Sequence, residues 1–112
     1  MKIADATIRA MQVHSLYDEL NLRVRGRTWS REEFVLGLVG DIGDLAKLVM
    51  AEEGARSVAG GRAALEHELA DCLWSVLVLA KLYNVDLVAA FDRTIDELKL
   101  HIQQELVSDE QV

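Results

Sequence analysis

Apolar residues recur at helical spacing along almost the whole chain, with no proline to interrupt them and no sustained alternation of β-branched and polar positions. Four helices are predicted. The first covers about residues 5–23, where Val13, Leu16, Tyr17 and Leu20, with Val24 just beyond, fall on one face at intervals of three and four. A basic link at residues 23–28, containing Gly26, closes it. Ser30 and Glu33 then have the spacing of a capping box, which opens a second helix running to about residue 52. Gly54, Gly60 and Gly61 mark a flexible connection at residues 54–61, and a third helix follows over about residues 62–83. Asn84 reads as a helix stop and Asp86 as the N-cap of a fourth helix, which extends to about residue 107 and ends in a frayed acidic segment at residues 108–112. Its seam of Val88, Phe91, Ile95, Leu98 and Ile102 suits a bundle or a dimer interface. The fold class expected is all-α, one four-helix bundle-like domain over residues 1–112.

Several acids break this pattern. On the second helix, at about 100° per residue, Phe34, Leu38, Ile42, Leu45, Leu48 and Val49 share one apolar face. Asp41 falls inside that face and Asp44 at its border one turn on, opposite Arg31 and Lys47. The third helix is apolar almost all round from Leu69 to Leu82, which predicts burial on most sides and an assembly of more than one copy. Its polar exceptions Glu68, Asp71 and Ser75 form one narrow stripe at spacings of three and four.

Two helices thus each turn two carboxylates inward, and an unpaired carboxylate removed from water costs several kcal/mol. The acids are protonated, are met by basic side chains, hold a hard divalent cation, or line a wet cleft. Oxygen ligands with no histidine or cysteine in the set favour Mg²⁺ or Mn²⁺ over zinc, and the absence of Glu-x-x-His pairs argues against a di-iron bundle.

The remaining composition narrows the choice. A net charge of −7 is a poor match for a nucleic-acid backbone, no run reaches the length of a membrane span, and the start lacks the apolar stretch of a secretory signal. A cytoplasmic protein is expected. Cys72, the lone cysteine, reads as a small core residue. Ser75 is placed either to touch a ligand or to bond back to its own helix, and Trp29 either to stack on a base or to staple the helix start. Trp74 is read as a packing residue away from the acid stripe, Lys47 and Lys81 as solvated, and His67 as pointing away from any ion at Glu68. His14 and His101 have no neighbour that suggests chemistry.

The segments Leu38-Val39-Gly40-Asp41-Ile42-Gly43-Asp44-Leu45-Ala46 and Glu68-Leu69-Ala70-Asp71-Cys72-Leu73-Trp74 resemble the signature of MazG-like pyrophosphohydrolases. That signature is a Glu-x-x-Glu pair, a variable gap and a Glu-x-x-Asp pair. Here 23 residues separate Asp44 from Glu68, and the similarity spans roughly residues 29–98. The resemblance implies that Asp41, Asp44, Glu68 and Asp71 bind Mg²⁺, with Mn²⁺ as a possible substitute, to grip a nucleoside triphosphate. Water would then attack the α-phosphorus and release nucleoside monophosphate and pyrophosphate, with Asp44 or Glu68 as the catalytic group that orients it. It also implies a dimer or a tetramer built from dimers, and a house-cleaning role on common or modified nucleotides. The chain departs from the pattern in carrying aspartate at both positions of the first pair. The basic positions of the family's last helix are matched only approximately, by Lys99 and Arg93. Two rivals follow: a phosphoribosyl-ATP pyrophosphohydrolase, and a catalytically silent helical interaction module.

Overall fold

The computed structural model describes residues 1–110, which form α1 (Ile3–Arg25), α2 (Arg31–Glu52), α3 (Gly61–Leu82) and α4 (Leu87–Glu110), with no strand among them. The boundaries follow local chemistry. At the end of α1, Gly26 takes a left-handed φ of 73°, open to glycine without a Cβ clash, and its N–H donates to Leu22 O at 3.1 Å. The capping box at α2 is formed as expected: Glu33 N–H donates to Ser30 Oγ and Ser30 N–H to Glu33 Oε1, both at 3.1 Å. Arg27 adds a two-pronged contact to the same carboxylate, at 2.7 and 3.1 Å. The Arg27 hydrogen bond and the Ser30 backbone donor together hold the Glu33 carboxyl at about 2. A depressed folded value stabilises the fold above the ordinary glutamate range, and that contribution is lost as the pH falls towards 2. The pair is exposed, so the effect is small. Asn84, at φ 53°, turns the chain after α3, and Asp86 Oδ1 accepts from Ala89 N–H at 3.1 Å to cap α4.

α2 and α3 are antiparallel. Arg31 at the start of α2 sits 4.7 Å over the ring of Tyr83 after α3, while Arg62 at the start of α3 lies 3.6 Å from Glu52 at the end of α2. α1 packs on α3, tied by Trp74 Nε1–H donating to Ala10 O at 3.0 Å. The core is Ala10, Phe34, Leu77 and Val78, with Ala6, Met11, Trp29, Trp74, Leu79, Leu82 and Leu87 packed against it.

Three expectations need correction. The face predicted for α1 is used only in part: Tyr17 packs on Trp29 and Trp74, but Leu16, Leu20 and Val24 are more than half exposed, and the helix turns the small and polar Ala6, Ala10 and Asn21 inward. Close approach of two helix backbones needs small side chains at the contact, and the alanines provide them. The second correction concerns α4, which leaves the end of α3 at 110° and contributes no buried residue. The single chain is therefore a three-helix unit with a projecting fourth helix, and its radius of gyration of 18.3 Å compares with about 13 Å for a compact chain of this length. Third, α4 continues through Ser108 to Glu110, where fraying was expected; residues 111–112 of that expected segment lie outside the described residues. Among the described residues, no single helix is long and apolar enough to cross a membrane.

Phe34 is buried at the junction of all three packed helices, touching the rings of His14, Trp29 and Trp74. Phe34→Ala is expected to lower the unfolding free energy by about 3–5 kcal/mol in a urea titration. Ser30→Ala, which removes one arm of the capping box, should cost only about 1 kcal/mol. Equal losses from the two would show that the aromatic junction is not the centre of the core.

Candidate metal centre

The inward stripe of α2 reads Phe34, Leu38, Asp41, Leu45 and Leu48, with intervals of four and three. Asp41 thus occupies a core-facing position, and Ile42 and Val49, expected on that face, are about half exposed. Antiparallel packing brings the middle of α3 opposite. Oxygen atoms of Asp41, Asp44 and Glu68 lie within 4.8 Å of one another. Glu68 Oε1 is fully covered and has no hydrogen-bond partner. Burial pushes the Glu68 carboxyl above the ordinary range, and the neighbouring Asp41 adds to the rise, followed by Asp71 and Asp44.

Asp71, expected as a fourth ligand, stands outside this trio. Its Oδ2 lies 3.1 Å from His67 Nε2, one helical turn back, and its side chain is 41% exposed. The i, i+4 spacing of His67 and Asp71 is the local signal for this pair, one that the angle between His67 and Glu68 does not reveal. Lys47 approaches Asp44 Oδ1 at 4.0 Å but stays exposed, too far for a firm ion pair. The Cys72 thiol is pushed up by burial first, then by Asp41, Glu68 and Asp71, which keeps it protonated and unreactive.

Beside the acids lies a cavity of about 640 Å³, with Asp41, Asp71, His67 and Ser75 on one side and Tyr17, Trp29, Phe34 and Trp74 forming aromatic walls. Ser75 is only 2% exposed, at the floor between the acids and the aromatic cluster. Trp29 packs on Tyr17 with ring centroids 5.1 Å apart, and Trp74 lies between Tyr17 at 5.7 Å and Phe34 at 5.3 Å. Trp74 is a packing residue as expected, yet it also lines the cavity. It stands three positions after Asp71, only about 60° away around a helix, and an indole spans that angle. Tyr17 and Phe34 were not anticipated here, since only the packing of α1 against α3 brings Tyr17 across. His14 has neighbours after all, Asp18 Oδ2 at 3.7 Å and the edge of Phe34. Lys99 is exposed on α4 and is not among the residues that line this cavity.

The donor set suits a hard divalent cation. Oxygens on opposite sides of a Mg²⁺ ion are about 4.2 Å apart and adjacent ones about 3 Å, so a small inward movement of the trio would enclose one. Such an ion would satisfy the orphaned Glu68 oxygen and remove the repulsion that raises its carboxyl. Lys47, exposed and 4.0 Å from Asp44, leaves the Glu68 oxygen unpaired.

A family model described as the MazG nucleotide pyrophosphohydrolase domain matches residues 30–102, a stretch that contains all four acids. No curated protein and no solved structure matches the chain significantly.

In metal-free solution a raised folded value means that the contribution of protonated Glu68 is fully present below the ordinary glutamate range and is lost as the pH rises through the folded value. Glu68→Gln should therefore lose less stability than wild type between pH 4 and pH 8 in EDTA, read as Tm. At pH 8, Mg²⁺ or Mn²⁺ should raise the Tm of wild type and leave Glu68→Gln unmoved. Asp71→Asn should retain most of the shift; a loss as complete as that of Glu68→Gln would show that the ion reaches Asp71 as well.

Proposed function

The chain belongs to the MazG nucleotide pyrophosphohydrolase family, and we propose that it hydrolyses nucleoside triphosphates to nucleoside monophosphate and pyrophosphate with Mg²⁺ held by Asp41, Asp44 and Glu68. The observation that carries this reading is the covered, unpaired Glu68 oxygen among acids on two helices, one of which, Asp41, also lines an aromatic cavity. A cavity of about 640 Å³ lies within the range of small-molecule sites and accommodates a base and a ribose.

In this reading the division of labour follows from position. Tyr17, Trp29 and Trp74 offer ring faces and edges to a nucleobase, which stacks on such surfaces whatever its identity. Ser75 supplies one hydroxyl at the buried floor, able both to donate and to accept. Asp41, Asp44 and Glu68 would hold the cation, which would supply positive charge to phosphate oxygens and to the attacking water. Asp44, the most exposed of the trio, or Glu68 orients the attacking water and takes its proton. The water oxygen bonds to the α-phosphorus as the bond to the bridging oxygen breaks, and pyrophosphate leaves with that oxygen. Asp71 acts from the cavity lining, with its Oδ2 paired to His67. Aspartate in place of glutamate at the first pair shortens each of those side chains by one methylene.

The whole chain is taken as one such domain, because α1 provides Tyr17 to the cavity and Ala10 to the core although it precedes the matched residues. A nucleotide substrate agrees with a cytoplasmic protein, and a homo-oligomer, dimer or tetramer, agrees with the exposed apolar surface. The house-cleaning role, with common or modified triphosphates as substrates, is part of the same reading.

The test is release of pyrophosphate from a panel of nucleoside triphosphates in Mg²⁺, Mn²⁺ or EDTA. Wild type should release pyrophosphate and monophosphate in equal amounts only with metal, and Asp41→Asn and Glu68→Gln should each lower kcat by about 10²-fold or more. Release of inorganic phosphate instead, or no cleavage of any triphosphate with either metal, would overturn the reading.

A further inference from the structure

α2 carries three glycines within its 22 residues, Gly37, Gly40 and Gly43, all with helical backbone. Glycine in such a position weakens a helix relative to alanine, because its backbone loses more freedom on folding. Close approach of a neighbouring helix would explain it, but a methyl group at any of the three would meet no atom within 4 Å beyond the helix's own backbone. Packing within the chain does not account for them. Gly40 and Gly43 fall within about 40° of the exposed Lys47, on the outer side of α2. Gly37 is the one that lines the carboxylate cavity. It precedes Asp41 by four residues and Asp44 by seven, which puts it within about 40° of both around the helix and about 6 Å before Asp41 along it. Phe34 lies about 4.5 Å to the other side along the same axis. Gly37 thus stands between the aromatic walls and the acids, and Ser75, also small, occupies the same stretch of the cavity from α3.

We propose that Gly37 is a specificity-determining residue: its missing side chain leaves the room in which the sugar of a bound nucleotide lies against α2, with space for a ribose 2′-hydroxyl. The inference rests on the nucleotide reading above. A nucleotide has a fixed order of base, sugar and phosphate. With the base on the rings of Tyr17, Trp29 and Trp74 and the phosphates at Asp41, Asp44 and Glu68, the sugar falls at the level of Gly37 and Ser75. Rejecting a 2′-hydroxyl requires a side chain packed where that group would stand. At this level the cavity presents bare helix backbone, the Ser75 hydroxyl and the Asp71 carboxylate, both of which can accept a hydrogen bond from a sugar hydroxyl. Ribonucleotides and 2′-deoxyribonucleotides are therefore both admitted. Helix stability given up at a position that packs against nothing in the chain is accounted for by the ligand that fills it.

The test compares the full chain as wild type, Gly37→Ala, Gly37→Val and Gly40→Ala. In EDTA, Gly37→Ala and Gly40→Ala should each raise the Tm by a few degrees, and the further rise with Mg²⁺ should match that of wild type because the trio is untouched. With Mg²⁺ and paired ribo- and 2′-deoxyribonucleoside triphosphates of one base, wild type should cleave both with kcat/KM values within about 10-fold of each other. Gly37→Ala should raise KM for the ribonucleotide by about 10-fold and for its deoxy partner by less, Gly37→Val should enlarge both losses, and Gly40→Ala should leave KM as it is. A lower Tm in Gly37→Ala would show that the glycine serves packing and would overturn the proposal. Equal losses for the ribo and deoxy partners would overturn the placement of the 2′-hydroxyl at Gly37. An active wild type matched in KM by Gly37→Ala would overturn this inference alone, whereas a wild type that cleaves no triphosphate would overturn the nucleotide reading and this inference with it.

Discussion

A carboxyl oxygen covered from water without a hydrogen-bond partner is a costly feature for a small helical protein to carry, and Glu68 Oε1 is such an atom. Everything around it relates to that cost. Its own helix also carries the core residues Leu77 and Val78, which fix the face it turns towards α2. The facing helix places Asp41 on the one stripe that packs inward, between Leu38 and Leu45. Repulsion among the acids is thus a consequence of the same packing that holds the fold together, and the exposed Lys47, 4.0 Å from Asp44, does not relieve it.

Rigidity around the acids comes from a different interaction. Trp74 is fixed by its indole hydrogen bond to the backbone of α1, and Phe34, Tyr17 and Trp29 close around it. The cluster joins all three packed helices and forms the cavity wall, so stability and ligand recognition draw on the same side chains. The site consequently sits on helix faces and not on loops, which suits a centre whose ligands must converge to within a few ångströms. The glycine-bearing connection between α2 and α3 lies at the far end, next to Glu52 and Arg62, and contributes none of the cavity's lining.

Surface apolarity has its own logic. A chain of this length that keeps four aliphatic positions of α1 and a full seam of α4 in view has a core of only a few residues, Ala10, Phe34, Leu48, Leu77 and Val78. Such a core is small for independent stability. The helices keep their lengths because their ends are capped by Ser30, Asp86 and Gly26, while the seams of α1 and α4 stay bare in the single chain.

The sequence by itself determined the elements and the cluster of acids. Helix ends were legible because Ser30, Glu33, Gly26, Asn84 and Asp86 act on backbone groups within a few residues of themselves. The inward direction of Asp41 and Glu68 was legible because a polar residue inside an apolar stripe has a definite phase. Tertiary structure alone decided which apolar face of α1 is buried, since its aliphatic side and its alanine side are both plausible contacts until α3 arrives and close packing selects the small residues. It also decided that Asp71 pairs with His67 outside the trio, that Tyr17 and Phe34 wall the cavity, and that α4 leaves the bundle with Lys99 far from the acids. Those outcomes depend on the angles between helices, which are set by side chains distant in sequence and have no local signature.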